Sequence, residues 1–409
     1  MSWSNGAEKV VVKWDGAFRL SDDEKDIAWM GDGARLSISD GVVFASTAEL
    51  RNVNGRIERS FSKNGQRRDW EPEGRAFLAT ALDRLIRHSG MFAKDRVARF
   101  LKQGGPDAVL AEIDRLDKSS YIRRVYYGEL ITQAPLSEPL LTRIVERAAS
   151  ELSSDYDKAT LFTAIAKLPA VTEAHRVLVA RSARSISSDY DQRRTLSAIM
   201  DVRPVPPALA AAVLDAAATI KSDYDRAEVL TELVERGGLT AANRFAFADL
   251  VRSMSSSYDK RRVLTAVASQ VNMSREVLTE AINSTSNFDS SHDRSESLIK
   301  LIDSGALTEA SADAFFQSAA QMSSSYDLSR VLRRVVDQPG LDARILERVL
   351  RTATKISSSH DRANLLEAIA TRARLQGTAR ELYVAAAQGL SSFEENRVLA
   401  ALVRAEARR

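Results

Sequence analysis

Histidine is the side chain best suited to move protons near neutral pH, and this chain has four: His88, His175, His292 and His360. His292 stands in Ser291-His292-Asp293, the residue types of a nucleophile, a base and an orienting acid. Three adjacent residues at a helix start do not face one another as a triad requires, so this run reads as a helix cap. His292 and His360 occupy equivalent places in a recurring phrase, two units apart, too far for joint metal ligation in an extended array. No carboxylate–histidine spacing marks a zinc or iron site. Zero cysteines exclude disulfides, thiol catalysis, iron–sulfur clusters and cysteine-bound zinc. No pair of titratable groups forms a catalytic constellation. The expectation is a non-enzymatic protein with no catalytic residue, no cofactor and no metal.

The residues that recur offer binding chemistry instead. An aromatic or histidine returns at Tyr121, Tyr156, Tyr190, Tyr224, Tyr258, His292, Tyr326, His360 and, more loosely, Phe393, with spacings of 35, six of 34, then 33. Identical placement on successive units would make a ladder of rings, Tyr156, Tyr190, Tyr224, Tyr258, His292, Tyr326 and His360, able to grip an extended peptide. The competing reading packs each ring between units with its hydroxyl on a neighbour's cap, because tyrosine suits half-buried places with a polar tip. Basic residues often follow: Lys158, Arg193, Arg194, Arg226, Lys260, Arg261, Arg262, Arg294 and Arg362. They form either a positive strip for an acidic partner or phosphates, or a solvated helix face whose ion pairs are individually weak.

These positions are set by a repeated helix start. A serine lies three residues before an aspartate in Ser154/Asp157, Ser188/Asp191, Ser222/Asp225, Ser256/Asp259, Ser290/Asp293, Ser324/Asp327 and Ser358/Asp361. This is a capping box with Asp in place of Glu: the serine accepts an orphan N–H and the carboxylate reaches back to the cap residue. Apolar residues follow at +4, +5 and +8, as in Val263/Leu264/Val267 and Leu365/Leu366/Ile369, making one helical stripe. A short link and a second apolar helix, such as Glu173–Ser185 or Arg344–Ile356, complete a hairpin. A hairpin cannot bury both faces, so neighbours must stack into a continuous curved array. The sixth unit is irregular, with a polar run at Asn283–Asp289 and Ser297 at the apolar +4 place. It reads as neutral drift or as a hinge or binding site.

The expected fold is mainly α: a right-handed α-solenoid of about 34-residue helical-hairpin repeats, HEAT/TPR-like in length but lacking the tetratricopeptide residue pattern, with a small N-terminal antiparallel β domain. All four tryptophans and seven of eighteen glycines fall in the first 70 residues. Turn pairs at Asp15-Gly16, Asp40-Gly41, Asn54-Gly55 and Asn64-Gly65 separate the segments Lys9–Trp14, Ala34–Ser39, Val42–Leu50 and Arg56–Phe61, which read as a β-meander. The expected domains are residues 1–72, β-rich; 73–117, a helical amino-terminal cap; and 118–409, eight to nine repeats, closed by Ser392–Arg409.

Composition narrows the function classes. Apolar residues are 44% of the chain, and 58 basic against 55 acidic residues leave a net charge of only +3. That balance gives little support for a nucleic-acid or membrane surface, so nucleic acid is not expected as a partner. No apolar run approaches the about 20 residues of a membrane helix, and Met1–Glu8 has no signal-peptide core. The chain is expected to be a monomer, cytoplasmic as written, or periplasmic if an upstream signal or anchor has been removed.

The run Ser89-Gly90-Met91-Phe92-Ala93-Lys94-Asp95-Arg96-Val97, then Leu110-Ala111-Glu112-Ile113, then Ser119-Ser120-Tyr121, resembles a group of bacterial Ser-Asp-Tyr helical-repeat proteins. Some of these are associated with membrane sensor metallopeptidases of the β-lactamase-regulator type, in which similar repeats follow a small β domain. The resemblance extends over residues 8–409, rests on structural motifs, and implies a bacterial source and an envelope-linked setting. No His-Glu-x-x-His occurs here, so peptidase activity is not carried over. The leading expectation is a protein- or peptide-binding scaffold; the alternative is a regulatory or sensory module of a bacterial envelope system.

Overall fold

The computed structural model describes residues 2–5, 10–40 and 45–407. Lys9, Gly41, residues 42–44 of the third expected strand segment and the final Arg408 and Arg409 lie outside the described residues. The protein is mainly helical with a small N-terminal antiparallel sheet, and divides into two compact units, Met1–Ala170 and Val171–Arg409.

In the first unit, strands β1 (Ser2–Asn5), β2 (Val10–Asp15), β5 (Arg35–Asp40), β6 (Ser46–Val53), β7 (Arg56–Lys63) and β8 (Gln66–Arg68) pair antiparallel in that order, while β3 (Phe18–Leu20) and β4 (Ile27–Met30) form a separate hairpin. Period-two alternation makes one face apolar: Val12, Ile38 and Ala48 are in register, as are Trp14, Leu36 and Leu50. Leu78, Leu82 and Leu85 of α1 (Arg75–Ser89) cover that face and share its core. Asn54-Gly55 and Asn64-Gly65 take the two consecutive positive φ angles (52° and 82°; 57° and 78°) that two-residue hairpin turns need. Asp15-Gly16 does something else. It leads out of β2 into the inserted β3–β4 hairpin, and Gly16 approaches so closely that a Cβ there would lie 2.7 Å from that of Ala34.

The unit continues with α2 (Ala93–Arg115), kinked at Gly104-Gly105-Pro106, and then α3 (Ser120–Gln133), α4 (Glu138–Glu151) and α5 (Asp155–Ala166). Arg96 of α2 is 3% exposed and holds three elements together. It donates to both carboxylate oxygens of Glu24 in the β3–β4 loop (2.6 and 3.0 Å), to Glu112 (2.7 Å), and to the Tyr126 hydroxyl of α3.

The second unit contains α6 (Glu173–Ser182), α7 (Asp189–Ile199), α8 (Pro207–Ala217), α9 (Asp223–Glu235), α10 (Arg244–Ser253), α11 (Ser257–Ser269), α12 (Arg275–Asn283), α13 (Ser291–Asp303), α14 (Glu309–Ala320), α15 (Ser325–Val336), α16 (Ala343–Ala353), α17 (Ser359–Arg372), α18 (Thr378–Ala387) and α19 (Ser392–Ala407). Each odd helix packs on the next odd helix and each even on the next even, so the two arms of a hairpin lie in separate layers. The expected stripe residues, Val229, Leu230 and Leu233 in α9 through Leu365, Leu366 and Ile369 in α17, are buried between them.

The recurring serine is the N-cap in every case. Ser188, Ser222, Ser256, Ser290, Ser324 and Ser358 each accept from the backbone N–H three residues on, at 3.2–3.3 Å, as does Ser154 in the first unit. Each such cap contributes about 1 kcal/mol. The reciprocal half of the expected box is not local. The cap N–H is taken by the first helical residue of the preceding unit: Asp189 accepts from Ser222 (2.8 Å), Asp223 from Ser256 (2.8 Å), Ser257 from Ser290 (3.2 Å), and Ser325 from Ser358 (3.2 Å). The box aspartate is thereby freed for an arginine of the preceding unit, as in Arg193 to Asp225 (2.7 Å) and Arg261 to Asp293 (2.8 Å). The polar residues of the irregular sixth unit are paired: Thr285 donates to Ile282 O (2.7 Å) and bonds Ser318 one repeat on, while buried Ser297 donates to Asp293 O (2.8 Å).

Candidate functional site

The cap N–H groups are occupied by the preceding unit, and the tyrosine in the second place of each helix is exposed rather than bonded to a neighbour's cap. Tyr190 is 56% exposed, Tyr224 53%, Tyr258 56% and Tyr326 63%, and His292 and His360 are exposed in the same register. The hydroxyls of those four tyrosines hold no hydrogen bond among the described residues. In the first unit Tyr121 and Tyr156 are exposed at the starts of α3 and α5.

The rings are not isolated. The Arg193 guanidinium lies 5.2 Å from the Tyr190 ring centroid and 5.9 Å from that of Tyr224. Arg262 lies 5.4 Å from Tyr224 and 6.0 Å from Tyr258, and Arg261 is 5.1 Å from Tyr258. Arg330 sits 5.6 Å from Tyr326. Each contact is a cation–π arrangement, and ring and arginine alternate along α7, α9 and α11. The readable signal was an arginine three or four residues after the tyrosine, the spacing that puts side chains on one helix face. Arg330 belongs to this set but not to the expected basic strip.

The strip residues separate into two jobs. Arg193, Arg194, Arg261 and Arg262 are held by carboxylates: Asp225, Asp191 (3.3 Å), Asp293, and Glu228 with Asp259 (3.3 Å). Arg226, Arg294 and Arg362, each directly after the box aspartate, reach inward to carbonyls at helix ends. Arg226 donates to Ile220 O and to Ser253 Oγ (2.9 Å), and Arg362 to Gly389 O (3.4 Å). Arg294 donates to Ser318 O (3.0 Å), Ser286 O (3.3 Å) and Phe288 O. Lys260 does the same at Asn287 O (2.5 Å). Helix C-termini leave their last carbonyls unpaired, and a cation there satisfies both hydrogen bonding and the helix dipole.

No family model and no curated protein matches the chain. A solved structure described as the computational design of self-assembling cyclic protein homooligomers is 13% identical, with 78% of this chain and 95% of that one covered, but its TM-score of 0.13 carries no argument.

The histidines do not converge: His88 pairs with Asp117 (3.1 Å), His175 closes a cap with Thr172 (2.9 Å), and His360 faces Glu394 (3.5 Å). Among the described residues no group of three or more His, Cys, Asp or Glu is placed to hold a metal ion, and no helix is long and apolar enough to cross a membrane. A second partly buried polar cluster joins Tyr127, Glu151, Arg147 and Arg123 in the first unit. Burial, and then the hydrogen bond to Glu151, push the Tyr127 phenol above its usual range. Burial also works to raise Glu151, but bonds from Arg147 and Tyr127 and the arginine charges outweigh it and hold the carboxyl below 4.5. A carboxyl depressed in the folded state stabilises above its unfolded pKa, and that contribution is lost as pH falls through the folded value. Glu151→Gln is therefore expected to lower the urea midpoint at pH 7, with the gap to wild type closing as pH drops below about 4.5. A gap that persists unchanged at pH 3 would rule out this ionic role.

Proposed function

We propose that this chain is a non-enzymatic protein- or peptide-binding scaffold, whose α6–α19 hairpins form a right-handed solenoid with a repeat of about 34 residues. The observation that carries the reading is the row of exposed rings at Tyr190, Tyr224 and Tyr258, held at equal places on α7, α9 and α11 by buried helices and trans-capped loops. Large aromatics outside water-excluding contacts forgo their burial energy, and they are the side chains most used as interface anchors. The flanking arginines are paired with carboxylates, which supports a protein or peptide partner over a phosphate backbone. Solenoids commonly present such repeated surfaces, an argument from fold rather than from a known ligand.

The test is capture of partners from bacterial lysate and envelope fractions by wild type and by a variant carrying Tyr190→Ala, Tyr224→Ala and Tyr258→Ala. Since the rings are more than half exposed, the variant is expected to keep its far-UV circular dichroism while losing a specific partner. A folded variant that captures the same proteins as wild type would refute the ladder as the binding surface.

A further inference from the structure

We infer that the Tyr190–Tyr224–Tyr258 ladder takes a proline-rich segment in the polyproline II conformation, with one anchor residue per turn. This rests on the scaffold reading and names its partner by chemistry. The spacing follows from the helix packing: α7, α9 and α11 are packed neighbours carrying their rings at equal places, so successive rings repeat at about the distance between packed helix axes, roughly 8–10 Å. The arginine shared by each pair, Arg193 for Tyr190 and Tyr224 and Arg262 for Tyr224 and Tyr258, lies within 6.0 Å of both rings and keeps them from lying much farther apart.

Few peptide conformations repeat on one face with that period. A β-strand returns to the same face every second residue, about 6.6–6.8 Å, so its side chains drift out of step with the rings. An α-helix presents a turn every 5.4 Å or so, and alternate turns would land on the arginines between rings. Polyproline II has three residues per turn and a rise of about 3.1 Å, so every turn advances about 9 Å and places the same face on the next ring. Its carbonyls have no internal partners and need donors. The tyrosine hydroxyls of the ladder, which hold no hydrogen bond among the described residues, supply one per turn.

Charge and entropy favour the same occupant. Arg193 and Arg262 are bound to Asp225, Glu228 and Asp259, so the ladder offers flat rings and hydroxyls with little unpaired charge. That suits an uncharged proline segment better than a single-stranded nucleic acid, whose affinity comes mainly from phosphate neutralisation. A preformed polyproline helix also loses little conformational freedom on docking, which matters on a surface without a deep groove.

The experiment titrates fluorescently labelled decaproline with the full chain, alongside a labelled decamer of Gly-Ser repeats and a thymidine decanucleotide, reading anisotropy. Saturable binding of decaproline, with the other two at least tenfold weaker, is the expected result. Tyr224→Ala should weaken decaproline at least tenfold and Tyr224→Phe less, while Phe245→Ala, an exposed aromatic off the ladder, changes nothing. No decaproline binding, equal binding of the Gly-Ser peptide or the oligonucleotide, or unchanged binding by a folded Tyr224→Ala variant would overturn the inference. If decaproline fails while the triple tyrosine variant still loses its captured partner, only the polyproline assignment falls; if capture is also unaffected, the scaffold reading falls with it.

Discussion

Arg96→Ala is expected to cost the first unit about 3–5 kcal/mol of stability, the range for breaking one partner out of a buried ion pair. The guanidinium is almost fully buried, and its removal takes the buried donor from Glu112 and the Tyr126 hydroxyl and leaves Glu24 held to α2 by Arg99 alone. It also frees the β3–β4 loop, where Glu24 adopts a left-handed φ of 60° that its bonds to α2 help to hold. Lysine should restore little, because a single ammonium cannot reproduce the fork that spans both Glu24 oxygens and Glu112. The four tryptophans all lie in residues 1–70, so tryptophan fluorescence during urea unfolding reports this unit. A shift of less than about 1 kcal/mol would mean that the network is no more than a surface ion pair in effect.

The second large effect is expected at Arg294. Arg294→Ala removes a donor from three backbone carbonyls at the junction of α13, the Ser284–Asn287 turn and α14, of which Ser318 O keeps the Gln321 N–H (3.2 Å) while Ser286 O and Phe288 O lose their side-chain donor. Leaving buried acceptors unpaired costs about 1–3 kcal/mol each when no water reaches them, so a loss of about 3 kcal/mol is expected. Burial lowers the Arg294 pKa from its usual value, the direction for a cation whose partners are neutral carbonyls. Arg344→Ala, at an exposed pair with Glu309, is the control and should cost under about 1 kcal/mol. Helical circular dichroism in urea measures both. If Arg294→Ala left stability intact and instead abolished binding of an acidic ligand, the strip reading of these arginines would replace the structural one.

The two arginines illustrate which parts of the molecule local chemistry exposes. Helix starts were legible because a cap is made by residues three apart: Ser256 and Asp259 can be recognised without knowing anything distant. The buried stripe of α9 or α17 was legible for the same reason, being a period within one helix. Arg294 and Arg193 look alike in sequence, each following Tyr/His-Asp closely, yet one points into a helix junction and the other lies between two exposed rings. Their difference depends on what the next unit presents, and a single unit holds no record of that.

By itself, then, the sequence determined the helical hairpins, the serine caps, the two Asn-Gly hairpins of the sheet and the recurrence of a tyrosine or histidine at one place in successive units, features that a few neighbouring residues record. Tertiary structure alone decided that β3–β4 would interrupt the meander, that α1 would close its apolar face, and that each cap would be completed by the preceding unit. It also decided the fate of the tyrosines. Asp223 takes the N–H of Ser256, and the Tyr258 ring lies exposed beside Arg261 rather than packed between units. Contacts between residues about 33 positions apart are set by how helices stack, and stacking is a property of buried faces in three dimensions.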